Sequence, residues 1–540
     1  MTKTFHNFVS WWKQDKRYIT LIQSVFMALL PLVCCLVYCA AQNRTLSEVY
    51  LPESEWNDEL FYFKQVEGIV SCGYPKGYFG FNESHALKLS FAAWSPVLVF
   101  PWVIWGALFG WNLLSPVVCN IFLMSLASFL FVWLVRPKWK QLGILTLLFC
   151  LYTPFVRYML SVMPEVICFS MLIIFYSLAV NYLNREKPYK LALLFLLSAV
   201  MTLMRPYMLL FMLLPAYFWI KKNSFRGAAG AFAVLGVTLG IYAAIKHYLG
   251  AEYFAPLFFT DWISAFFEKG LFGGMRYTLS KLYYMGKDFL AHLKQGFRAG
   301  LASGAFFAGY LVCMAVLLGQ SLADLRWLRK LRDQEERRQV HNRLVVESHL
   351  AFSFVAMTFA LLLMYKLTEG SKHLLTFIAA AVFVVALMET KYFKKAILIG
   401  VTFVYFYIYM AIDPYDYQVP FIREESVAQV DAWRELLDAR MELREDGAPD
   451  YDNSVIWVFS DTISEGGVNT GLLTRWQLLY ALPEGFGISC CMPDYVLENF
   501  AGLQCRYLCV VPGGEIEKNC IAEGFVKLAE AEGAVLYQRY

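Results

Sequence analysis

From Tyr18 to Ala41 the chain carries no charged side chain, and apolar stretches return at roughly 91–110, 113–135, 142–160, 165–183, 191–204, 206–220, 227–249, 300–319, 348–366, 374–390 and 396–412. A helix needs about 20 mostly apolar residues to cross the roughly 30 Å hydrocarbon core of a bilayer. The recurrence therefore predicts a polytopic α-helical membrane protein. Composition agrees, with 59% hydrophobic and 17% charged residues against about 45–50% apolar and about 25% charged in ordinary soluble domains. The first stretch is as long as a full span and lacks a small-residue cleavage site, so it is expected to anchor the chain. A net charge of +4 is no argument for nucleic acid here, because the basic residues sit in short clusters between apolar stretches, where they act as topology signals.

Those clusters fix an orientation. They are the N-terminus with Lys3, Lys13, Lys16 and Arg17, then RPKWK (136–140), REKPYK (185–190), KKNSFR (221–226), RWLRKLRDQEERRQVHNR (326–343) and KYFKK (391–395). If all twelve stretches spanned, a cytoplasmic N-terminus would put the five later clusters outside, against the positive-inside rule. If 91–110 does not span, all six fall inside. FAAWSPVLVFPWVIWGALFG carries Pro96 and Pro101 and is rich in Trp, the aromatic favoured at headgroup level, so it is expected to be interfacial or re-entrant.

The expectation is then about eleven transmembrane helices in a membrane module over 1–412, with outer loops 42–112 and 250–299, and an extracytoplasmic α/β domain over 413–540. The setting expected is a bacterial plasma membrane. Loop 250–299 places aromatics at helical spacing among single charges, which suits either amphipathic helices on the membrane surface or a loop packed on the protein. After residue 413 the composition turns soluble. EESVAQVDAWRELLDARMEL, TGLLTRWQLLYAL and EIEKNCIAEGFVKLAEAEG read as helices, and SVIWVFSD, RYLCVVPG and AVLYQRY as strands, an alternation that implies a small α/β sheet. Of thirteen cysteines, seven lie in apolar stretches and six (Cys72, Cys490, Cys491, Cys505, Cys509 and Cys520) fall outside. Disulfides are permitted there, though their spacing does not fix a pairing.

Few ionisable residues border the outer ends of the apolar stretches. They are Arg157 and Glu165 in RYMLSVMPE, Arg205 in LMRPY, Lys372 and His373 in EGSKHLL, and Asp58, Glu59, His85 and Lys88 of the first outer loop. Charged groups near the apolar zone are costly unless paired or facing a cavity, which makes them functional candidates. Each alone has a bland alternative. A basic side chain can snorkel to headgroups, and Glu165 can simply favour a helix N-terminus. Their joint placement at one depth favours function.

Five segments carry a family resemblance: NDELFYFKQVEGIVSCGYP (57–75), KLSFAAWSPVLVFPWVIWGALFGWN (88–112), MPEVICFSMLIIFYSLA (163–179), LMRPYMLLFMLLP (203–215) and SKHLLTFIAAAV (371–382). In this order and orientation, over about residues 10–412, the chain resembles the GT-C superfamily of membrane glycosyltransferases, which includes protein O-mannosyltransferases and the aminoarabinose transferases of lipid A. The resemblance implies inverting transfer of a sugar from a polyprenyl-phosphate carrier to a protein, lipid or envelope-glycan acceptor on the outer face. Asp58 would be the base, with Glu59 the alternative, and Glu165 would orient the acceptor. Lys88, Arg157, Arg205, Lys372 and His373 would seat the departing phosphate. The alternative role for Asp58 and Glu165 is to hold Mg or Mn, since oxygen ligands suit those ions, although the family also includes metal-free members. The rival readings are a multi-span transporter or flippase, or an O-antigen-type polymerase or ligase. A transporter would place its site at the midplane, between related halves. The O-antigen class would carry its major outer loop late in the chain.

Overall fold

A computed structural model describes residues 16–73, 80–83, 95–151, 154–250, 259–299, 302–364, 385, 387–388, 393–412, 418–440, 451–462 and 472–540. The first part is helical: α1 (Lys16–Ala41), α2 (Asn57–Cys72), α3 (Phe100–Phe109), α4 (Ser115–Val135), α5 (Trp139–Leu151), α6 (Pro154–Met159), α7 (Glu165–Asn184), α8 (Pro188–Met204), α9 (Leu209–Leu249), α10 (Asp261–Ala299), α11 (Ala302–Leu328), α12 (Gln334–Met364) and α13 (Phe393–Ile412). Among the described residues six helices, α1, α4, α7, α9, α11 and α12, are long and apolar enough to cross a membrane, and shorter apolar helices cover 96–109, α5 and α8. Exposed side chains such as Val37, Ile104, Leu108, Leu196, Phe232 and Val237 are apolar, as lipid-facing surfaces must be. The chain is an integral membrane protein.

The stretch 91–110 contains a 3-10 turn (Pro96–Val99) followed by α3, with Pro101 in the first turn of the helix. Together, at about 1.5 Å per residue, they reach only about 20 Å, short of the bilayer core. Buried Trp102 donates its Nε1 to Asn120 of α4 at 2.8 Å, which fixes this segment against the bundle. The stretch 142–160, expected as one span, is instead two helices, with α5 ending at Leu151 and α6 opening at Pro154. Proline lacks the N–H that would continue a helix but suits a new first turn. Most of 374–390 lies outside the described residues.

α9 reverses direction at Ser224 (φ 48°, ψ −122°), which turns one long element into two antiparallel legs. The turn is tight. A Cβ at Gly227 would lie 2.4 Å from the backbone oxygen of Trp219, and one at Gly230 would lie 2.3 Å from the indole of the same residue. Backbone cannot yield as a side chain can, so Gly227→Ala should destabilise the hairpin by about 1–3 kcal/mol. A lowered melting temperature of the detergent-solubilised chain is the expected reading.

Contacts between distant loops sort the ends of the bundle. Asn181 donates to the carbonyl of Leu134 at 3.0 Å and Asn342 to that of Leu183 at 3.0 Å. Gln141 donates to the carbonyl of Met388 at 3.1 Å, and Lys221 meets His341 at 3.3 Å. These residues flank the five internal basic clusters, which therefore gather at one end. α10 is a helical pair broken at Gly270 (φ 68°). Asp261 at its start bonds Tyr277 and pairs with Lys281, while Phe267, Phe272 and Tyr283 stay exposed.

At the opposite end from the basic clusters stands a six-stranded sheet of order β1-β3-β2-β4-β6-β5. Its strands are β1 (Gly80–Phe81), β2 (Ser454–Val458), β3 (Gly487–Cys491), β4 (Tyr507–Val510), β5 (Val526–Ala531) and β6 (Ala534–Gln538), with helices α14 (Glu424–Asp438), α15 (Pro493–Glu498) and α16 (Glu515–Ala522). The first four pair in parallel, and β6 is antiparallel to both β4 and β5. Edge strand β1 comes from the stretch between α2 and α3. It is locked by buried Glu83, whose Oε1 accepts from the backbone N–H of Gln504 at 2.7 Å and of Cys505 at 2.6 Å. Farther along the loop, the N–H of Tyr50 donates to Pro420 at 2.9 Å, and Lys64 donates to the carbonyl of Leu482 at 2.5 Å.

Three local expectations change. TGLLTRWQLLYAL forms a 3-10 turn (Trp476–Ala481) in place of a helix, and GISCC (487–491) is a fully buried strand. The helix expected over 515–533 stops at Ala522, because Gly524 (φ 77°) ends it and Gly533 (φ 77°) turns β5 back into β6. All thirteen cysteines are free thiols, and five of the six outer ones are packed in the sheet core.

Candidate functional site

Both acids of NDEL lie in the first turn of α2, where the helix dipole favours negative charge. Consecutive helical residues point about 100° apart, and the two side chains meet different surroundings. Asp58 is half-buried. Glu59 is 0% exposed; its Oε1 lies 2.9 Å from Arg157 Nη2 and accepts from Ser54 Oγ at 3.1 Å. Arg157 Nη2 also donates to Ser54 Oγ at 2.8 Å, and its guanidinium lies over the Trp56 ring at 3.7 Å. Burial pushes the Glu59 carboxyl above the usual carboxylate range, while Arg157 and the hydrogen bonds of Ser54 and Val162 pull it back.

A second pair lies alongside. Glu165 is the first residue of α7 and Arg205 follows the last residue of α8. Glu165 Oε1 and Arg205 Nη2 are 2.7 Å apart with both side chains 0% exposed, and Arg205 Nη1 donates to Tyr207 at 3.2 Å. The connection between α6 and α7, flanked by Arg157 and Glu165, is pinned by Asn120 Nδ2 donating to the Ser161 carbonyl at 2.8 Å. Both pairs sit at the end of the bundle that holds the sheet.

Burying an ion pair costs several kcal/mol of desolvation per charge, so such pairs are weak devices for stability alone. These two are also incompletely satisfied. Arg157 Nε and Nη1 and Glu165 Oε2 are wholly buried with no hydrogen-bond partner among the described residues. More than about 90% of buried polar groups in folded proteins are paired. The spare guanidinium nitrogens of Arg157 suit an anionic ligand, whereas the spare Glu165 oxygen suits a donor such as a hydroxyl. Glu165 commits Oε1 to Arg205, and no group of three or more His, Cys, Asp or Glu that could hold an ion occurs among the described residues.

The structure thus brings Glu59 to Arg157 and Glu165 to Arg205, and sets Asp58 on the same first turn as Glu59. Lys88, Lys372 and His373, together with His85, lie outside the described residues. Sequence reasoning did not single out Ser54, which bridges Glu59 and Arg157, or Trp56, on which Arg157 stacks. Ser54 and Trp56 stand within five residues of Glu59 and were open to notice as part of one motif. A cleft of about 550 Å³ opens farther along α2, lined by Tyr50, Phe63, Glu67, Trp111, Arg434 and Asp438 among others. Glu59, Phe63 and Glu67 recur every four residues and so share one face of α2.

No family model matches the chain, and no curated protein matches it. Among solved structures, the chain is similar to one titled "Crystal Structure of ArnT from Cupriavidus metallidurans bound to Undecaprenyl phosphate", at 10% identity and a TM-score of 0.37, over 95% of this chain and 97% of that one. A likeness this loose carries no conclusion about the site, whose interpretation rests on its own residues.

Proposed function

We propose that the chain is a membrane glycosyltransferase of GT-C type that moves a sugar from a polyprenyl-phosphate carrier to an acceptor at the extracytoplasmic face. The observation that carries this is the pair of wholly buried ion pairs, Glu59–Arg157 and Glu165–Arg205, with unpartnered atoms at the end of the bundle opposite the basic clusters. Under the positive-inside rule that end is the outer one.

The chemistry fits sparse machinery. The acceptor oxygen attacks the anomeric carbon, the bond from that carbon to the phosphate oxygen breaks with its electrons leaving on phosphate, and the configuration inverts. A phosphate is a stable anion as it departs, so no general acid is needed, unlike in a glycosidase. One base takes the acceptor's proton, and fixed cations meet the developing charge. Asp58, half-exposed at the mouth of α2, suits the base better than Glu59, which is wholly buried against Arg157 and Ser54. Arg157 and Arg205, with Lys88, Lys372 and His373 from the remaining loops, would seat the phosphate, and Glu165 would orient the acceptor. The cleft beyond Phe63 is large enough to hold a sugar of the acceptor, and its Trp111 and Tyr50 offer the flat apolar faces that a pyranose ring covers.

The membrane module over 1–412 and the α/β part over 413–540 would act together, since the sheet takes a strand from the first outer loop. Liposomes containing the purified chain and a polyprenyl-phosphate sugar labelled in the sugar, supplied with envelope lipids, glycans or proteins, test the reading. Acceptor-dependent release of polyprenyl phosphate is expected. Movement of intact lipid-linked sugar across the bilayer without release would replace this reading by the transporter.

A further inference from the structure

The 3-10 turn Trp476–Ala481 belongs to the C-terminal part of the chain, yet it reaches the Glu59–Arg157 pair. Side chains three apart in a 3-10 helix eclipse one another, so Gln477 and Tyr480 share a face. Gln477 Nε2 donates to the Ser54 carbonyl at 3.4 Å, and Ser54 Oγ is the atom that joins Glu59 to Arg157. The Tyr480 ring lies against Phe63, with centroids 5.5 Å apart, one turn beyond Glu59 on α2. Its backbone carbonyl accepts from Arg434 at 3.2 Å. Its ring is thus set against Phe63 while its backbone is tied to α14 through Arg434.

Its hydroxyl is wholly buried and has no hydrogen-bond partner among the described residues, the same condition as Nε and Nη1 of Arg157. Burial first, and the Glu59 carboxylate second, hold the phenol far above its usual range, so the group stays a donor. The Tyr480 hydroxyl and the two spare Arg157 nitrogens are thus three unpartnered donors, and Tyr480 lies within electrostatic range of the Glu59–Arg157 pair.

We infer that the Tyr480 hydroxyl and the free edge of Arg157 form a seat for a phosphate oxygen, so that the C-terminal part of the chain supplies a substrate-binding group to the membrane-embedded site. The identity of the anion as a lipid-borne phosphate rests on the function proposed above. The seat itself rests on the unpartnered donors.

Tyr480→Phe removes one oxygen and keeps the ring on Phe63. With the full chain in detergent, binding is measured for polyprenyl phosphate, for the matching polyprenol and for inorganic phosphate, alongside the melting temperature without ligand. Loss of one hydrogen bond to a charged group predicts roughly 10- to 100-fold weaker binding of polyprenyl phosphate, with polyprenol binding and unliganded melting unchanged. If wild type prefers the phosphate over the alcohol and Tyr480→Phe binds it equally well, the inference fails while the donor reading stands. If both phosphates bind alike and the variant loses both, the seat stands and the lipid donor falls. A variant that melts lower without ligand would show that the hydroxyl serves the fold, and would overturn the inference.

Discussion

Glu165→Leu should destabilise the protein by about 3–5 kcal/mol, because it leaves the Arg205 guanidinium buried without its counter-charge. Both side chains of this pair are 0% exposed, and the two charged atoms are 2.7 Å apart. Adding Arg205→Met removes the stranded charge and fills the space with an apolar side chain of comparable length. The double variant should recover most of the lost stability, since replacing a buried pair by packed apolar groups is often neutral or favourable. The two changes are strongly coupled, as expected of residues in contact. Turnover is the deciding reading. If the pair serves the reaction, the refolded double variant stays inactive. A double variant that is both stable and active would reduce the pair to a packing device.

The second large effect separates the adjacent acids. Asp58→Asn keeps the shape of a half-buried side chain and gives up a first-turn negative charge on α2, so stability should fall by no more than about 1 kcal/mol. Turnover should fall by about 10²–10⁴-fold if Asp58 takes the acceptor's proton. Glu59→Gln should do the reverse in stability, because Arg157 loses a full counter-charge inside the protein. Some activity should survive it where the guanidinium stays in place. Kinetics of polyprenyl phosphate release, measured beside unfolding of each variant, give the comparison. A Glu59→Gln protein that folds normally and is dead, next to an active Asp58→Asn, would move the base to Glu59.

Much of the membrane part could be read from sequence because its signals are simple. Span length and basic clusters are one-dimensional quantities, and the parity of those clusters predicts that 91–110 does not cross; the described part of that stretch is a 3-10 turn and the ten-residue α3. The four charged residues of the two ion pairs were also visible, since charges beside apolar stretches stand out. Their pairing was not, because nothing local relates Glu59 to Arg157 or Glu165 to Arg205. Tyr480 left no trace at all. It sits in WQLLYA as one more aromatic in an apolar run, and its importance depends on a turn folding back onto Ser54. In the sheet, VKLAEA reads as helix because Lys, Leu, Ala and Glu are good helix formers. Its state was decided by Gly524 and Gly533, whose positive φ values break the helix on one side and turn the chain on the other. Strand β3 was missed for a related reason. GISCC is short and has only Ile488 as a β-branched residue, and its five buried positions come from tertiary packing.

The edge strand β1 also bears on how the protein is made. Residues 80–83 leave the ribosome early, yet their partners, β3 and the N–H groups of Gln504 and Cys505, are among the last. Contacts of such sequence separation close late. The helix carrying Asp58 and Glu59 can meet Arg157 and Trp111 early, but its contact through Lys64 with the Leu482 carbonyl waits until nearly the whole polypeptide has been synthesised. A chain released before residues 487–505 are made can place its membrane helices and still lack the partners of β1.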